Sequence, residues 1–525
     1  MGKLGAPFLR RLIDSLLAAV DLREIPETLP AELLARHGLP ALGEALEALH
    51  RPREEEVEAL NARETPAHHR LVYGELLEMQ VILALRRERE AREPRTRRYR
   101  LDSSAARAAL PFPLTAAQER VLGEIVADLR APHPMHRLLQ GDVGSGKTAV
   151  AALVLALAVE SGFQGAFMAP TELLAEQHHA SLARLLGSRY PAVLLTGGTA
   201  DARLRARIAA GEARLVVGTH ALIQEGVELP DLGLAVIDEQ HRFGVAQREL
   251  LRRKGERPDV LVMTATPIPR SLALTAYGDL PVSTLDEMPP GRSPVRTEVV
   301  PARGRPEVYR RLREAVAAGA RAFVVAPHID ESGPSGPASL EEVERRVREA
   351  LAGFPVAVLH GRMPAAERER TMRAFAAGEV RVLVATTVIE VGVDVPEATW
   401  MVIESAERFG LAQLHQLRGR VGRGSGASVC IALHGRLTAA GKERLAVFAA
   451  TQDGFEIAER DLLLRGPGDV LGTRQAGLPP LRLARLPEDW DWLVEARDDA
   501  RELLGRLDGE AKRALEEKAM PCASS

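Results

Sequence analysis

Cysteine is nearly absent. Cys430 and Cys522 are the two in 525 residues, so no disulfide framework can form, and no Cys-x-x-Cys pair offers metal-ligand spacing. That scarcity suits a reducing cytoplasm. Net charge is nearly absent too: 69 Lys and Arg against 72 Asp and Glu leave −3. Any nucleic-acid footprint must therefore be a local stripe and not a global bias. Lysine is scarce, with six in all including Lys147, and arginine carries most of the positive charge, as a GC-rich genome would favour. Long apolar runs are missing as well. The longest, Ala149 to Val159, is too short to span a bilayer. No basic stretch followed by an apolar one opens the chain, so the expectation is a cytoplasmic protein without a secretory leader.

Apolar residues make up 46% of the sequence, and the length predicts about three or four domains at roughly 150 residues each. Residues 1–105 read as helices: an amphipathic Phe8–Val20, short runs at Pro30–His37 and Leu42–His50, and a long helix from Pro66 to about Glu93. Leu71, Leu76, Met79 and Leu83 recur along that helix at three- to five-residue steps. A basic run follows through Arg92, Arg95, Arg97, Arg98 and Arg100. It reads as a solvated linker, with contact to nucleic acid as the alternative.

Near residue 106 the pattern becomes short apolar strands alternating with helices. Strands are expected at Arg137–Gln140, Gly165–Met168, Ala192–Leu195, Leu215–Val217, Leu234–Ile237 and Val260–Met263. After a Pro-rich hinge, Pro289–Pro294, they resume at Ala322–Ala326, Val356–Leu359, Val380–Ala385, Met401–Glu404 and Ser428–Leu433. Continuous apolar strands between helices imply parallel sheets covered on both faces. The fold class is α/β, with two lobes in tandem. The expected domains are a helical region at 1–105, a first lobe at 106–290, a second at 291–440 and a helical end at 441–525. Within the second lobe, Glu331–Ser339 reads as a surface loop. Residues 440–460 return to helix, and Asp489–Lys518 closes the chain as a helical stretch.

Gly141-Asp142-Val143-Gly144-Ser145-Gly146-Lys147-Thr148 completes the pattern G-x-x-x-x-G-K-[ST] between an apolar strand and a helix, the context the motif requires. Its glycines let backbone N–H groups close on phosphates at a helix N-terminus. Lys147 is placed for the β- and γ-phosphates of ATP and the Thr148 hydroxyl for Mg²⁺. Leu234–Ile237 then runs into Asp238-Glu239-Gln240-His241. Asp238, at the end of a buried strand, suits the second Mg²⁺ contact, and Glu239 suits orienting the attacking water. Upstream, Gln118 offers a bidentate amide for the adenine edge and Phe112 a ring to pack on the base; a helix cap at Thr115 is the competing explanation. Far downstream, Arg420 and Arg423 lie three residues apart and point the same way on one helical turn. An arginine supplied from another element stabilises the charge of phosphoryl transfer. The neighbouring Gly419 and Gly422 imply close backbone approach.

Gly141–Thr148, Ala169–Gln177, Val217–His220, Asp238–His241, Thr264–Thr266, Ala385–Asp394 and Gln416–Arg423 stand in the order of motifs I, Ia, Ib, II, III, V and VI of superfamily 2 helicases, which they resemble. Asp238–Val245, Thr264–Arg270 and Met288–Arg292 resemble the RecG family more narrowly. So do Asp453–Asp461, Arg465–Asp469 and Gly472–Gln475, which are similar to the helical hairpin and loop shared by that family and the transcription-repair coupling factor. The resemblance implies two tandem RecA-like domains that bind ATP and Mg²⁺ in the cleft between them. It implies Gln416 at the catalytic face, Gly392 and Asp394 lining the nucleotide, and Arg465, Arg474 and Gln475 coupling lobe closure to a step along DNA. Pro170, Thr171, Gly218, Thr219, His220, His360, Arg362, Thr386 and Thr387 are implied to face the polynucleotide. They would read phosphates without base information, so binding should fall steeply with salt.

The implied activity is ATP-dependent translocation on duplex and branched DNA, stalled forks and Holliday junctions included, in recombination and repair. The protein would be a monomer, with single-strand-binding protein as a possible partner. The family carries an oligonucleotide-binding wedge ahead of its helical linker, whereas here Met1 precedes the linker almost directly. The expectation is therefore hydrolysis with little fork unwinding. Alternatives are a coupling-factor type of motor, a fork-blind DNA-dependent ATPase or an RNA helicase. The last would typically carry Asp-Glu-Ala-Asp in motif II. His68-His69 and His178-His179 lack a third ligand at metal spacing and read as helix-surface residues. Trp490 and Trp492 read as packing anchors and Cys430 as core.

Overall fold

The computed structural model describes residues 6–52, 57–92, 94–199, 201–224, 226–239, 254, 257–265, 280–290, 294–327, 339–387, 395–422, 424, 426–465, 481–485 and 488–519. It divides into two compact units, Met1–Glu90 with Ser271–Asp279 and Arg465–Ser525, and Ala91–Arg270 with Leu280–Leu464. Among the described residues no helix is long and apolar enough to cross a membrane.

The first unit is helical: α1 (Ala6–Ala19), α2 (Ala31–His37), α3 (Leu42–His50), α4 (Val57–Ala62) and α5 (Pro66–Ala91) from the start of the chain. Trp490–Arg506 and Gly509–Ala519, helices α17 and α18 in chain order, come from its end. Val72, Leu76, Met79 and Leu83 recur on one face of α5 and pack with Leu33 against Leu493, Ala496 and Ala500 of α17. The two ends of the chain thus share a core, which no local pattern in either segment marks. Trp490 and Trp492 pack at its edge, as expected of anchors. The closing stretch is not one helix. Asp508 breaks it, its Oδ1 accepting from the backbone N–H of Glu510 (3.1 Å) and Ala511 (2.8 Å) to start α18.

One carboxylate ties this core together. Asp499 of α17 is buried; its Oδ2 accepts from the Tyr73 hydroxyl of α5 at 2.6 Å and lies 2.7 Å from His37 Nε2 of α2, while Oδ1 pairs with Arg36. Burial pushes this carboxyl up, but the bonds from Tyr73, His37 and Arg36 outweigh it and hold the group below the usual carboxylate range. A carboxyl whose folded pKa is depressed stabilises the fold above its unfolded value of about 3.9, and that contribution vanishes as pH falls through the folded value. Asp499→Asn is expected to cost about 2–3 kcal/mol at pH 7. Its loss of stability between pH 5 and pH 3 should be smaller than the wild type's. Denaturation followed by tryptophan fluorescence checks both; parallel pH profiles for the two proteins would disprove it.

The second unit holds two parallel sheets. The first contains β1 (His136–Gly141), β2 (Gln164–Met168), β3 (Ala192–Leu195), β4 (Leu215–Gly218), β5 (Leu232–Asp238), β6 (Asp259–Thr264) and β7 (Val282–Leu285), in the order β3-β4-β2-β5-β6-β1-β7. Helices α6 (Ser104–Ala109), α7 (Ala116–Arg130), α8 (Lys147–Glu160), α9 (Glu172–Leu186) and α10 (Ala202–Ala209) accompany it. The second contains β8 (Arg296–Pro301), β9 (Arg321–Val325), β10 (Val356–Leu359), β11 (Val382–Ala385), β12 (Ala398–Ile403) and β13 (Val429–His434), ordered β10-β11-β9-β12-β13-β8. Helices α11 (Arg305–Ala317), α12 (Leu340–Ala350), α13 (Ala365–Ala377), α14 (Leu411–Arg418), α15 (Ala439–Ala450) and α16 (Gly454–Arg465) accompany that sheet.

Strand alternation explains why both faces of the second sheet are covered. Phe323 and Val325 point into a core with Phe375, Leu414 and Phe448, while Ala322 and Val324 point the other way against Val308, Leu312 and Val343. Cys430 is buried in the first of these cores, as expected. All eleven expected strands are present within a few residues. β7 and β8 were not anticipated; β8 is a polar edge strand with Arg296 exposed, so it lacks the apolar run that marks the others.

The basic run is only partly the solvated linker the sequence suggests. Arg95 is buried, with Nη1 donating to Asp259 Oδ2 (2.9 Å) and Nη2 and Nε donating to the carbonyls of Asp128, Ala131 and His133. Asp259 also accepts from Met135 N–H at 2.5 Å and lies 2.7 Å from the Tyr99 hydroxyl. Burial still prevails and pushes the Asp259 carboxyl above its ordinary range. The clamp straps the linker across the start of β6.

Candidate nucleotide and nucleic-acid site

Parallel strands bring all their C-terminal ends to one edge, and there the chemistry-bearing residues gather. β1 delivers the phosphate loop and α8 leaves it. Gly144 and Gly146 have φ of 86° and 87°, which a Cβ would strain. Gly141 is required for a different reason. A Cβ there would meet Ser145 Oγ at 2.6 Å and Leu285 Cβ at 2.9 Å. Lys147 is buried, its Nζ donating to the carbonyls of Gly141 (2.7 Å) and Asp142 (2.9 Å), so the ammonium lies curled inside the loop. Ser145 Oγ is buried with no hydrogen-bond partner among the described residues. A buried hydroxyl, a buried ammonium and a left-handed glycine loop at a helix N-terminus fit a bound polyphosphate. Thr148, expected to hold a divalent cation, is half-buried in the first turn of α8.

Gln118 is buried and engaged at both ends. Its Oε1 accepts from Thr115 N–H (3.0 Å) and its Nε2 donates to Ser145 O (3.0 Å), so the capping box and a brace for the phosphate loop coexist. Reading an adenine would require releasing the second contact. Phe112 is exposed, a ring open to a base.

Asp238 ends β5, two strands from β1 across β6, or about 10 Å by ordinary sheet spacing. It is buried, and its Oδ2 lies 2.8 Å from His178 Nε2 on α9. Burial raises this carboxyl, yet the His178 bond and the Lys147 charge prevail and hold it below its ordinary range. Glu239 has φ of 55°, a strained backbone for a residue with a Cβ and a frequent mark of functional sites. The reading of His178 and His179 as surface residues needs correction. Both are half-buried; His178 also stacks on Phe167, with centroids 4.3 Å apart, and His179 Nε2 lies 3.0 Å from Ala192 O. They sit on the inner face of α9, which a pair of adjacent polar residues does not reveal. His68 and His69 are half-buried as well: His68 lies 2.8 Å from Thr65 Oγ1, and the His69 ring lies 5.2 Å from that of Trp492.

The second sheet reaches the phosphate loop through α14. A Cβ on Gly419 would lie 3.2 Å from Val143 Cβ and Cγ2, the close approach its glycine implied. His415 Nε2 lies 2.8 Å from Asp142 Oδ1. Arg418 Nη2 donates to His415 Nδ1 (2.9 Å), which makes Nε2 the protonated nitrogen facing Asp142. Arg418 Nη1 donates to the carbonyls of Phe448 (2.8 Å) and Thr451 (2.9 Å). At the other end of α14, Leu411 N–H donates to Asp461 of α16 at 3.1 Å. Burial pushes the Asp142 carboxyl up, but His415 and the Val143 N–H hold it below its usual range. Neither His415 nor Arg418 was singled out by sequence; the available signal was two polar residues three apart among apolar ones, which is common on any helix. Gln416 and Arg420 flank this contact, both half-buried. A cavity of about 370 Å³ opens beside the loop, lined by Asp142, Met288, Pro289, His415, Gly419 and Phe455 among others.

The expected polynucleotide contacts lie at the same edges, on other strands. Pro170 and Thr171 follow β2, Gly218 ends β4 with Thr219 and His220 after it, His360 and Arg362 follow β10, and Thr386 and Thr387 follow β11. Thr171, His220 and Arg362 are exposed. Thr171 and Thr219 also cap the helices they precede. Thr386 Oγ1 is buried without a hydrogen-bond partner among the described residues. Gly218 has a packing reason of its own, since a Cβ there would lie 2.3 Å from Leu195 O. Arg423, Gly392, Asp394, Arg474 and Gln475 lie outside the described residues; Arg465 is the last residue of α16.

Three family models match: DEAD/DEAH box helicase over 115–275, helicase conserved C-terminal domain over 307–425, and the C-terminal part of domain 3 of the ATP-dependent DNA helicase RecG over 451–520. The RecG helicase of Synechocystis is 46% identical over 507 residues, covering 95% of this chain and 60% of that one. The Bacillus subtilis RecG helicase is 45% identical over 488 residues, covering 91% and 71%. A solved structure of RecG bound to a three-way DNA junction superimposes with a TM-score of 0.75 at 40% identity, over 93% of this chain and 64% of that one. The chain thus spans about three fifths of the Synechocystis relative's length. The sheets are those of two tandem RecA-like helicase domains, and the chain belongs to the RecG family of ATP-dependent DNA helicases.

Proposed function

We propose that this protein is an ATP-driven motor that moves along duplex DNA and acts on branched DNA in recombination and repair. The observation that carries the reading is the meeting of the phosphate loop with α14, Gly419 on Val143 and His415 on Asp142. A residue change of state in the loop is thereby felt by the second sheet. Mg²⁺-bound ATP supplies the phosphoanhydride and the charge that the site is built to hold. Lys147 leaves its two carbonyls to bind the β- and γ-phosphates, Thr148 and Asp238 hold the cation, and Glu239 takes a proton from the attacking water. Gln416, Arg420 and Arg423 act from the second lobe, Gly392 and Asp394 line the nucleotide, and Phe112 and Gln118 hold the base.

Hydroxyls and backbone N–H groups at the strand ends from Pro170 to Thr387 bind phosphates independently of sequence. Arg465, Arg474 and Gln475 couple closure to stepping. The relative solved on a three-way junction supports branched DNA as the substrate. The protein works in the cytoplasm as a monomer, with single-strand-binding protein as a candidate partner. Steady-state ATPase with duplex DNA, junction DNA and duplex RNA tests this. Both DNAs should stimulate hydrolysis and RNA should not; stimulation by RNA equal to that by DNA would contradict it.

A further inference from the structure

We propose that His178 is a positioning residue that ties the DNA-facing end of α9 to the cation-binding carboxylate of Asp238, so that DNA engaged at Pro170–Thr171 sets that carboxylate for hydrolysis. The inference rests on the motor reading above. Its geometry is independent of it.

Thr171 is the N-cap of α9 and is exposed at the strand-end edge. His178 lies seven residues further on, about 10 Å along the same helix. A helix of that length moves as a rigid piece, so a shift at its cap is delivered to the imidazole. The imidazole is held on two sides. Its Nε2 lies 2.8 Å from Asp238 Oδ2, and its ring stacks on Phe167 with centroids 4.3 Å apart. Phe167 is fully buried in β2, which pairs directly with β5 in the register Phe167 to Val236 and Met168 to Ile237. His178 therefore bears on Asp238 through a side-chain bond and through the adjacent strand. The carboxylate also accepts from the Glu239 N–H, so these two contacts together would set its orientation toward a cation. Partners that orient a metal carboxylate typically change metal affinity 10- to 100-fold when lost. The next residue, His179, grips Ala192 O of β3 and steadies the helix at the same level.

A merely structural histidine would affect stability and both basal and stimulated hydrolysis alike. The proposal separates these. The Mg²⁺ dependence of binding of a fluorescent ADP analogue, without DNA, reads the link to Asp238. The ratio of duplex-DNA-stimulated to basal ATPase, at saturating Mg²⁺, reads the link to DNA. His178→Ala is expected to weaken the apparent Mg²⁺ affinity by about tenfold or more and to lower the stimulation ratio by a similar factor. In His178→Gln, whose amide nitrogen reaches where Nε2 stands, both should return to within a few-fold of wild type. Circular dichroism melts confirm that each variant is folded. If His178→Ala keeps the wild-type Mg²⁺ dependence and stimulation ratio, or if His178→Gln is as impaired as the alanine variant, the proposal fails while the motor reading stands. A wild type indifferent to DNA would overturn the motor reading and this relay together.

Discussion

Lys147→Ala is expected to lower DNA-stimulated ATP hydrolysis by at least about two orders of magnitude and to leave a folded chain. The Lys147 ammonium is the one buried cation inside the phosphate loop's own turn, held by the carbonyls of Gly141 and Asp142. Neither carbonyl neutralises it. An ammonium buried among backbone carbonyls is drawn toward a polyphosphate, where its charge is worth far more. Removing it deletes a donor aimed at developing charge, a loss of about 10²–10³ in kcat by the usual scale of such deletions. The fold is expected to survive the loss. The two lost hydrogen bonds are worth about 1.5–3 kcal/mol each, and relief from burying the ammonium offsets part of that. Steady-state hydrolysis with and without duplex DNA, beside a thermal melt, decides it. Hydrolysis at the wild-type rate would end the mechanism proposed here.

Arg420→Ala should cost as much or more, by a different route. Arg420 follows Gly419, the residue that packs on Val143, so its backbone lies beside the phosphate loop; it sits in a turn just past α14, which ends at Arg418, and not on the helical turn the spacing suggested. An arginine in that relation stabilises charge in the transition state and contributes about 10³–10⁵ in rate. The expected signature is a fall in kcat of that size with KM for ATP within about tenfold of wild type, since the residues proposed to bind the phosphates and cation in the ground state are others. Arg420→Lys should stay impaired, because a point charge does not reproduce the planar fork. A raised KM at unchanged kcat would instead make Arg420 a binding residue.

These two residues were legible in the sequence because a backbone requirement marks them. A glycine loop that must bend left-handed, and a glycine that must let another lobe approach, leave a spacing no other residue type satisfies. The strands were legible for a related reason: burial on both faces demands an unbroken apolar run, as in Leu234–Ile237. Where burial is one-sided or edge-on the signal fades, which is why β7 and the polar β8 escaped notice. The break before α18 escaped too, since one aspartate cap among good helix formers barely alters the periodicity.

The residues only the tertiary structure identified share another property. His178, His415 and Arg95 each find their partner far along the chain, at Asp238, Asp142 and Asp259. Nothing in their own neighbourhood distinguishes a surface imidazole or guanidinium from a buried one. The same holds for Asp499, which gathers α2, α5 and α17 into one core from opposite ends of the chain. The sequence by itself determined the two-lobed α/β fold and the phosphate chemistry, because local backbone geometry and strand burial leave local marks. Which side chains link one strand end to another was decided only in three dimensions. A hydrogen bond between distant residues depends on where two elements lie, and no spacing along the chain records that.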